Sequence, residues 1–241
     1  MKTLLAALAL QLAAAAGAMA APVPPPFHAE YTTLRNGEAI GRTTLDLSDN
    51  GDGSWTLRSE TRGTSGLAKL AGIHVVETSR FRWNDGRPEA LVYDYRQEGA
   101  FKKRTRHADF DWKANEVRVS EGGQDFRYPA RPGIVDRQAL TLALASDLMR
   151  GATAFDYHVA VKDRVEERRY RRGAEETLEV PAGTFKAVPM NREDGAGGER
   201  TRESRSWFAP SLGWLPVRIE QTEKKGDTIT LQLVSHGPAP R

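Results

Sequence analysis

Between Phe27 and His236 the chain alternates polar and apolar residues in short runs, and nearly every run ends at a turn signal. FHAEYTTLR is followed by Asn36-Gly37 and then by EAIGRTTLDL. SDNGDGS precedes WTLRSETRG, and Asn84-Asp85-Gly86 separates IHVVETSRFRW from EALVYDYRQ. A period of two places successive side chains on opposite faces of a strand, and Asn-Gly or Asp-Gly between two such runs favours a tight hairpin. FKKRTRHADFDW, EVRVSEG, QDFRYPA, AFDYHVAV, VEERRYRR, EETLEV, FKAVPMNRE, RTRESRSWFA, LPVRIEQTE and TITLQLVSH continue the pattern. Turns every ten residues or so predict an antiparallel meander, sandwich or barrel.

Two stretches depart from this period. GLAKLAG, residues 66–72, has room for one or two helical turns. GIVDRQALTLALASDLMRG repeats Leu140, Ala143, Leu144 and Leu148 at helical spacing, with Asp136 as N-cap and Gly151 at the position past the C-cap. The predicted fold is therefore mainly β: a large curved antiparallel sheet, an open half-barrel, with one amphipathic helix over 136–150 packed on its concave face. GAGG at 195–198 reads as a hairpin loop, as does APSLG within WFAPSLGWLPVRIE. The boundaries are a Pro-rich lead at 21–26, a single domain at 27–236 and a tail at 237–241.

MKTLLAALALQLAAAAGAMA has a basic start, an apolar run and an Ala-x-Ala end, the three parts of a secretory signal peptide cleaved after Ala20. The apolar run falls short of a membrane span and is followed at once by prolines. Export to the periplasm is the expectation. Removing twenty of 241 residues leaves 221, enough for one large domain with a sizeable core. The sequence has no Cys, so no disulfide supports the fold and no lipid can be attached through one. With Lys2 gone, 34 basic residues face 32 acidic ones. That near-neutral balance argues against nucleic acid as partner.

The sequence names no reaction. It lacks the G-x-S-x-G elbow, HExxH, P-loop and dinucleotide fingerprints. HADFD would place His107, Asp109 and Asp111 on one strand face, candidates for a metal or for acid–base work. Alternation alone accounts for them equally as a solvated face, and no cofactor is implied. The basic runs FKKRTRH and RVEERRYRR suit edge strands kept from aggregating by charge, or contacts to a lipid headgroup or acidic glycan. The aromatic residues Trp55, Phe81, Trp83, Tyr93, Tyr95, Trp207 and Trp214 are candidates either for core or for the wall of an apolar ligand cavity.

WFAPSLGWLPVRIE, VPAGTFKAV at 180–188, RFRWNDGRPEALVYDYRQ and FKKRTRHADFDW, in that relation along the chain, resemble the bacterial secreted family called domain of unknown function 3108, over about residues 27 to 235. The resemblance implies an exported β-rich protein, with a fold similar to LolA/LolB-like lipoprotein carriers. It implies no catalytic residues. The functional expectation is a non-enzymatic periplasmic module binding a lipid-like ligand. The alternatives are an envelope structural or interaction protein with a fully packed core, and a hydrolase of envelope glycan or lipid. Mass spectrometry of the exported protein should find Ala21 at its N-terminus.

Overall fold

The structure is a computed structural model, and it describes residues 21–239 apart from 101, 194–203 and 223–225. The leader and the GAGG loop lie outside the described residues. Sixteen strands and two α-helices follow one another: β1 Phe27–Arg35, β2 Glu38–Asp49, β3 Trp55–Gly63, α1 Gly66–Leu70, β4 His74–Asn84, β5 Arg87–Glu98, β6 Arg104–Asp111, β7 Glu116–Glu121, β8 Gln124–Pro129, β9 Ile134–Val135, α2 Leu140–Met149, β10 Asp156–Ala160, β11 Val165–Arg172, β12 Glu176–Val180, β13 Gly183–Glu193, β14 Ser204–Ala209, β15 Leu215–Thr222 and β16 Thr228–Gly237. All join one sheet of order β8-β7-β6-β5-β4-β3-β2-β1-β16-β15-β14-β13-β11-β10-β9, with β12 added beside β13. The sheet curves without closing. Its β9 edge meets the other arm through side chains, Ile134 packing with Ala90 and Tyr93, and Tyr128 of β8 donates its hydroxyl to the Val161 carbonyl at 2.8 Å.

The turn signals act where expected. Asn36 and Gly37 both take positive φ, as do Asp85 and Gly86, the geometry of tight hairpins. β9 was not anticipated; it is two residues long and pairs parallel with β10 across α2, so the sheet is antiparallel except at that edge. The basic runs are not edge strands. β6 lies between β5 and β7, and β11 between β10 and β13. Several of their arginines are instead paired in place: Arg104 and Arg106 both bind Glu121, and Arg168 binds Glu166.

The helix begins at Leu140, one turn later than predicted, because 136–139 form a turn held by Asp136. The Asp136 carboxylate accepts the backbone N–H groups of Gln138 and Ala139, each at 2.8 Å, and the Ser79 hydroxyl. At the other end Gly151 takes φ +70°, and the N–H groups of Gly151 and Ala152 close on the carbonyls of Leu148 and Asp147, a Schellman cap. The expected one-sided stripe does not hold. Leu140 and every residue from Leu142 to Leu148 are buried, because the sheet wraps round the helix rather than meeting it on one face. Leu142 joins the core of Tyr31, Leu47, Phe81, Trp207 and Leu233. Leu140, Ala143, Leu144 and Leu148 join Tyr157, Val159, Met190 and Phe208. Asp147 is wholly buried and is held by Arg87, Arg150 and the Tyr157 hydroxyl.

WFAPSLGWLPVRIE forms the β14–β15 hairpin. Pro210–Leu212 make one 3-10 turn and Gly213 leaves it at φ +63°. Trp207 is buried, donates its indole N–H to Glu176 and lies under the Arg205 and Arg218 guanidiniums, 4.3 and 5.2 Å from its ring centre. Gly213→Val should lower stability by about 1–3 kcal/mol through backbone strain. Trp207→Ala should cost about 3–5 kcal/mol through the lost core ring. Urea unfolding of both variants checks the pair, and unchanged midpoints would contradict the assignment of this hairpin.

Candidate functional site

Three neighbouring strands change character halfway along their inward faces. On β1 the inward residues run Ala29, Tyr31, Thr33; on β2, in the opposite chain direction, Leu47, Leu45, Thr43; on β3, Leu57, Ser59, Thr61. One end of the barrel interior is therefore apolar and the other hydroxylic. The Thr33 and Thr43 hydroxyls are 2.8 Å apart and those of Thr43 and Thr61 are 2.7 Å apart, a chain of three across the strands.

The N-terminal half of α2 stops short of this wall. Between them lies a cavity of about 310 Å³, bounded by Leu45, Leu140, Leu144, Ile219, Ile229 and Leu231 as well as by the hydroxyls. Three arginines also line it, Arg137, Arg168 and Arg192. The Arg137 guanidinium faces Glu77 through two contacts of 3.1 and 3.2 Å, and Glu77 accepts the Tyr93 hydroxyl at 2.5 Å. Glu77 raises the affinity of Arg137 for its proton, so this cation stays charged at any pH where the protein is folded. The Arg168 side chain turns one N–H group to Glu166, while its buried Nε has no hydrogen-bond partner. Mixed hydroxyl, cationic and aliphatic walls suit an amphiphile better than a plain hydrocarbon.

A larger concavity of about 530 Å³ lies on the outer face of β3–β7, lined by Arg58, His74, Thr78, Asp94, Arg96 and His107. Its charges are already matched: His107 with Asp94 at 2.7 Å and Asp109 at 3.1 Å, His74 with Glu60 at 3.0 Å, and Arg96 with Glu98 at 3.2 Å. Arg58 and its neighbours hold the Glu60 carboxyl down at about 2. The inner cavity is the better candidate because it is less open and joins aliphatic walls to hydroxyls and cations.

The sequence candidates fall elsewhere. Trp55, Phe81 and Trp83 stack edge to face, with ring centres 6.0 and 5.1 Å apart, in the core at the apolar end of the barrel. Trp207 joins the same core, Trp214 packs beside the α2 core, and Tyr93 belongs to the core beneath β9. Tyr95 is half-buried beside that core, with the Arg137 guanidinium 5.5 Å from its ring, and borders the outer concavity. None of the seven lines the inner cavity. The strand alternation is right, but these rings have ordinary core partners. His107 and Asp109 do share an outer face, with both imidazole nitrogens engaged by carboxylates. These carboxylates raise the His107 proton affinity. Asp111 is drawn away to cap the turn at Lys113 and Ala114 and to bind Arg118. Among the described residues no group of three such side chains is placed to hold a metal.

Asp136 sits at the cavity end of α2, and burial raises its carboxyl to about 6. A raised folded value means that the native state holds a proton the unfolded chain has released. That contribution is full below about pH 4 and is lost as pH rises to 6. Relative to Asp136→Asn, the wild-type protein should lose up to about 3 kcal/mol between pH 4 and 6. Urea midpoints at pH 4, 5, 6 and 7 measure the difference, and a flat difference would show that Asp136 stays ionised.

Comparison with known proteins adds the fold and the family. No curated protein matches the sequence. The crystal structure of a β-barrel-like protein of domain of unknown function DUF1849 from Brucella abortus is similar with a TM-score of 0.56, at 11% identity, covering 89% of this chain and 98% of that one. A Bacteroides fragilis structure described as an exported protein with YmcC-like fold matches with a TM-score of 0.35, at 12% identity, over 90% and 97% of the two chains. The fold is thus like that of the β-barrel-like Brucella protein, and the likeness is not specifically to LolA/LolB-like carriers. The model of the family described as protein of unknown function, DUF3108, matches residues 27–234, and the chain belongs to that family.

Proposed function

We propose that the protein is a non-enzymatic, exported envelope protein that holds an amphiphilic, lipid-like ligand in the cavity between α2 and the inner face of β1–β3 and β14–β16. The observation that carries this reading is the wall itself: a threonine hydroxyl chain and the arginines Arg137, Arg168 and Arg192 on one side, and Leu140, Leu144, Ile219 and Leu231 on the other. A polar head would meet the Arg168 guanidinium and the hydroxyls, and a short apolar stretch would lie along α2. The volume of about 310 Å³ is at the small end for ligand sites, which suits one segment of a lipid rather than a whole diacyl molecule. Export rests on the signal-peptide pattern of residues 1–20.

A structural or interaction role is the second reading, favoured by the burial of α2 nearly all round. Native mass spectrometry of protein extracted gently from the envelope separates the two. The first reading expects a bound mass that survives desalting. Thr141→Trp, which fills the cavity from a half-buried position on α2, should remove that mass while leaving the melting temperature within a few degrees. Protein that emerges bare in repeated preparations supports the second reading and sinks the first.

A further inference from the structure

Two large apolar side chains stand in solvent. Leu67 is 84% exposed and Leu70 is 82% exposed; the next among the described residues is Val234 at 40%. Both belong to α1, three residues apart, so they share one face. The turn that carries them is firmly held. Gly63 has no side chain, and a β-carbon there would run into the Ala68 carbonyl, so α1 sits directly on the end of β3. The Gly63 N–H donates to Ile73 at 2.8 Å, Ile73 donates to Ala68 at 3.0 Å, Thr64 donates to Ile40 at 3.0 Å, and the Ser65 hydroxyl binds the Ala39 carbonyl. Ala68 is buried beneath, while its two leucine neighbours are pushed outward. A fixed backbone with its leucines presented to solvent differs from a loose loop that exposes them at random.

Positive charge lies on the same rim. Lys69 lies between the leucines in sequence, and the β5–β6 connection brings exposed Lys102 and Lys103 alongside, tied to α1 by the Ala100 N–H donating to Ala71 at 2.7 Å. Among the described residues none of the three lysines forms an ion pair. The nearby acids Glu60 and Glu98 are held by arginines, Glu60 by Arg58 and Arg62 and Glu98 by Arg96; Glu38, one hairpin away, is exposed. Exposed leucines with unpaired lysines on the same rim match an apolar layer beneath an anionic surface. A soluble protein partner would more often offer acidic side chains and a groove for a longer helix. A one-turn helix presents too little surface for that.

We infer that α1, through Leu67 and Leu70 with Lys69, Lys102 and Lys103 on the same rim, docks the protein onto the surface of an anionic lipid bilayer. Its place in the barrel adds a consequence. The cavity residues Thr33, Thr43 and Thr61 lie near the ends of β1–β3 that run into this rim, and Thr61 is two residues from Gly63. Docking therefore turns the hydroxyl-lined end of the barrel toward the bilayer. The inference does not depend on the cavity's being occupied.

The test is co-sedimentation of the protein, processed in cells and with its N-terminus verified, with phosphatidylcholine vesicles with and without phosphatidylglycerol. The protein should bind the anionic vesicles more tightly, and salt should weaken the binding. Leu67→Ser with Leu70→Ser should cut partitioning at least about tenfold. Each of Lys69→Gln, Lys102→Gln and Lys103→Gln should cut it about fivefold on anionic vesicles only. All five side chains are exposed, so the variants should keep the wild-type melting temperature, which excludes unfolding as the cause. Equal binding by the double serine variant overturns the inference. So does a wild-type protein that ignores both vesicle types, or one whose leucines instead mediate a dimer that the double variant dissolves on size exclusion.

Discussion

A single curved sheet has one inner face, and that face must be covered. Helix α2 is the cover, and its position rests on a buried carboxylate at Asp147. Arg87 from the start of β5, Arg150 from the helix's own end and Tyr157 from β10 all converge on it. An unpaired charge there would be very costly to bury, so these partners must arrive together. They come from one arm of the sheet, from the helix and from the other arm. The contact thus fixes the helix and the curvature at once. Ser146, donating to the Gly86 carbonyl, ties the β4–β5 hairpin to the same turn of the helix. At the opposite end Asp136 receives two backbone N–H groups and the Ser79 hydroxyl from β4. With no disulfide in the chain, these two carboxylates act as the clamps between helix and sheet.

Which parts of this were legible in the sequence follows from what local patterns encode. A run such as FHAEYTTLR or WTLRSETRG specifies a strand through its own alternation, and the strands occupy those residues. Gly151 marks the end of α2 through chemistry within one turn and was readable, whereas Asp136, read as the N-cap, holds the turn before the helix, whose N-cap is Ala139. Edge positions were not readable. β6 and β11 are rich in arginine, but whether a strand lies at an edge depends on partners far away in the chain, and both are flanked on each side. β9 was missed for the same reason: Ile134 and Val135 form a strand only because His158 and Val159 lie alongside.

The cavity was missed for a different reason. Large aromatic rings attract attention as ligand walls, yet Trp55, Phe81, Trp83 and Trp207 fill the apolar end of the barrel, where large rings gain most from burial. The informative signal was a change of chemistry within a constant phase. In WTLRSETRG the inward positions go from Trp55 and Leu57 to Ser59 and Thr61, and the neighbouring strands make the same change one pair later each, β2 from Leu45 to Thr43 and β1 from Tyr31 to Thr33. An inward threonine needs a hydrogen-bond partner for its hydroxyl. Three of them here form a chain in which each hydroxyl is paired with the next. The arginine at 137 could not be placed from sequence at all, because its partner Glu77 lies sixty residues earlier.

The division of the interior into an apolar half and a hydroxylic half also explains why the sheet can remain open. A closed barrel removes its edges by hydrogen bonding. Here the edges meet through side chains, with Ile134 against Ala90 and Tyr93 and Phe126 beneath Lys162. Such a seam is weaker than a continuous ladder, and the fold tolerates it because α2 bridges the gap from within. The bridge is tight around Leu142 and Leu148, where both cores close on it, and slack near Thr141 and Gln138, where the polar wall stands off. The cavity is therefore the region where the helix does not complete the packing of the sheet. Filling that space with leucines would make a tighter protein. The retention of hydroxyls and guanidiniums there, against the gain from apolar burial, is the physical reason to look for a ligand at this end of the barrel and not at the other.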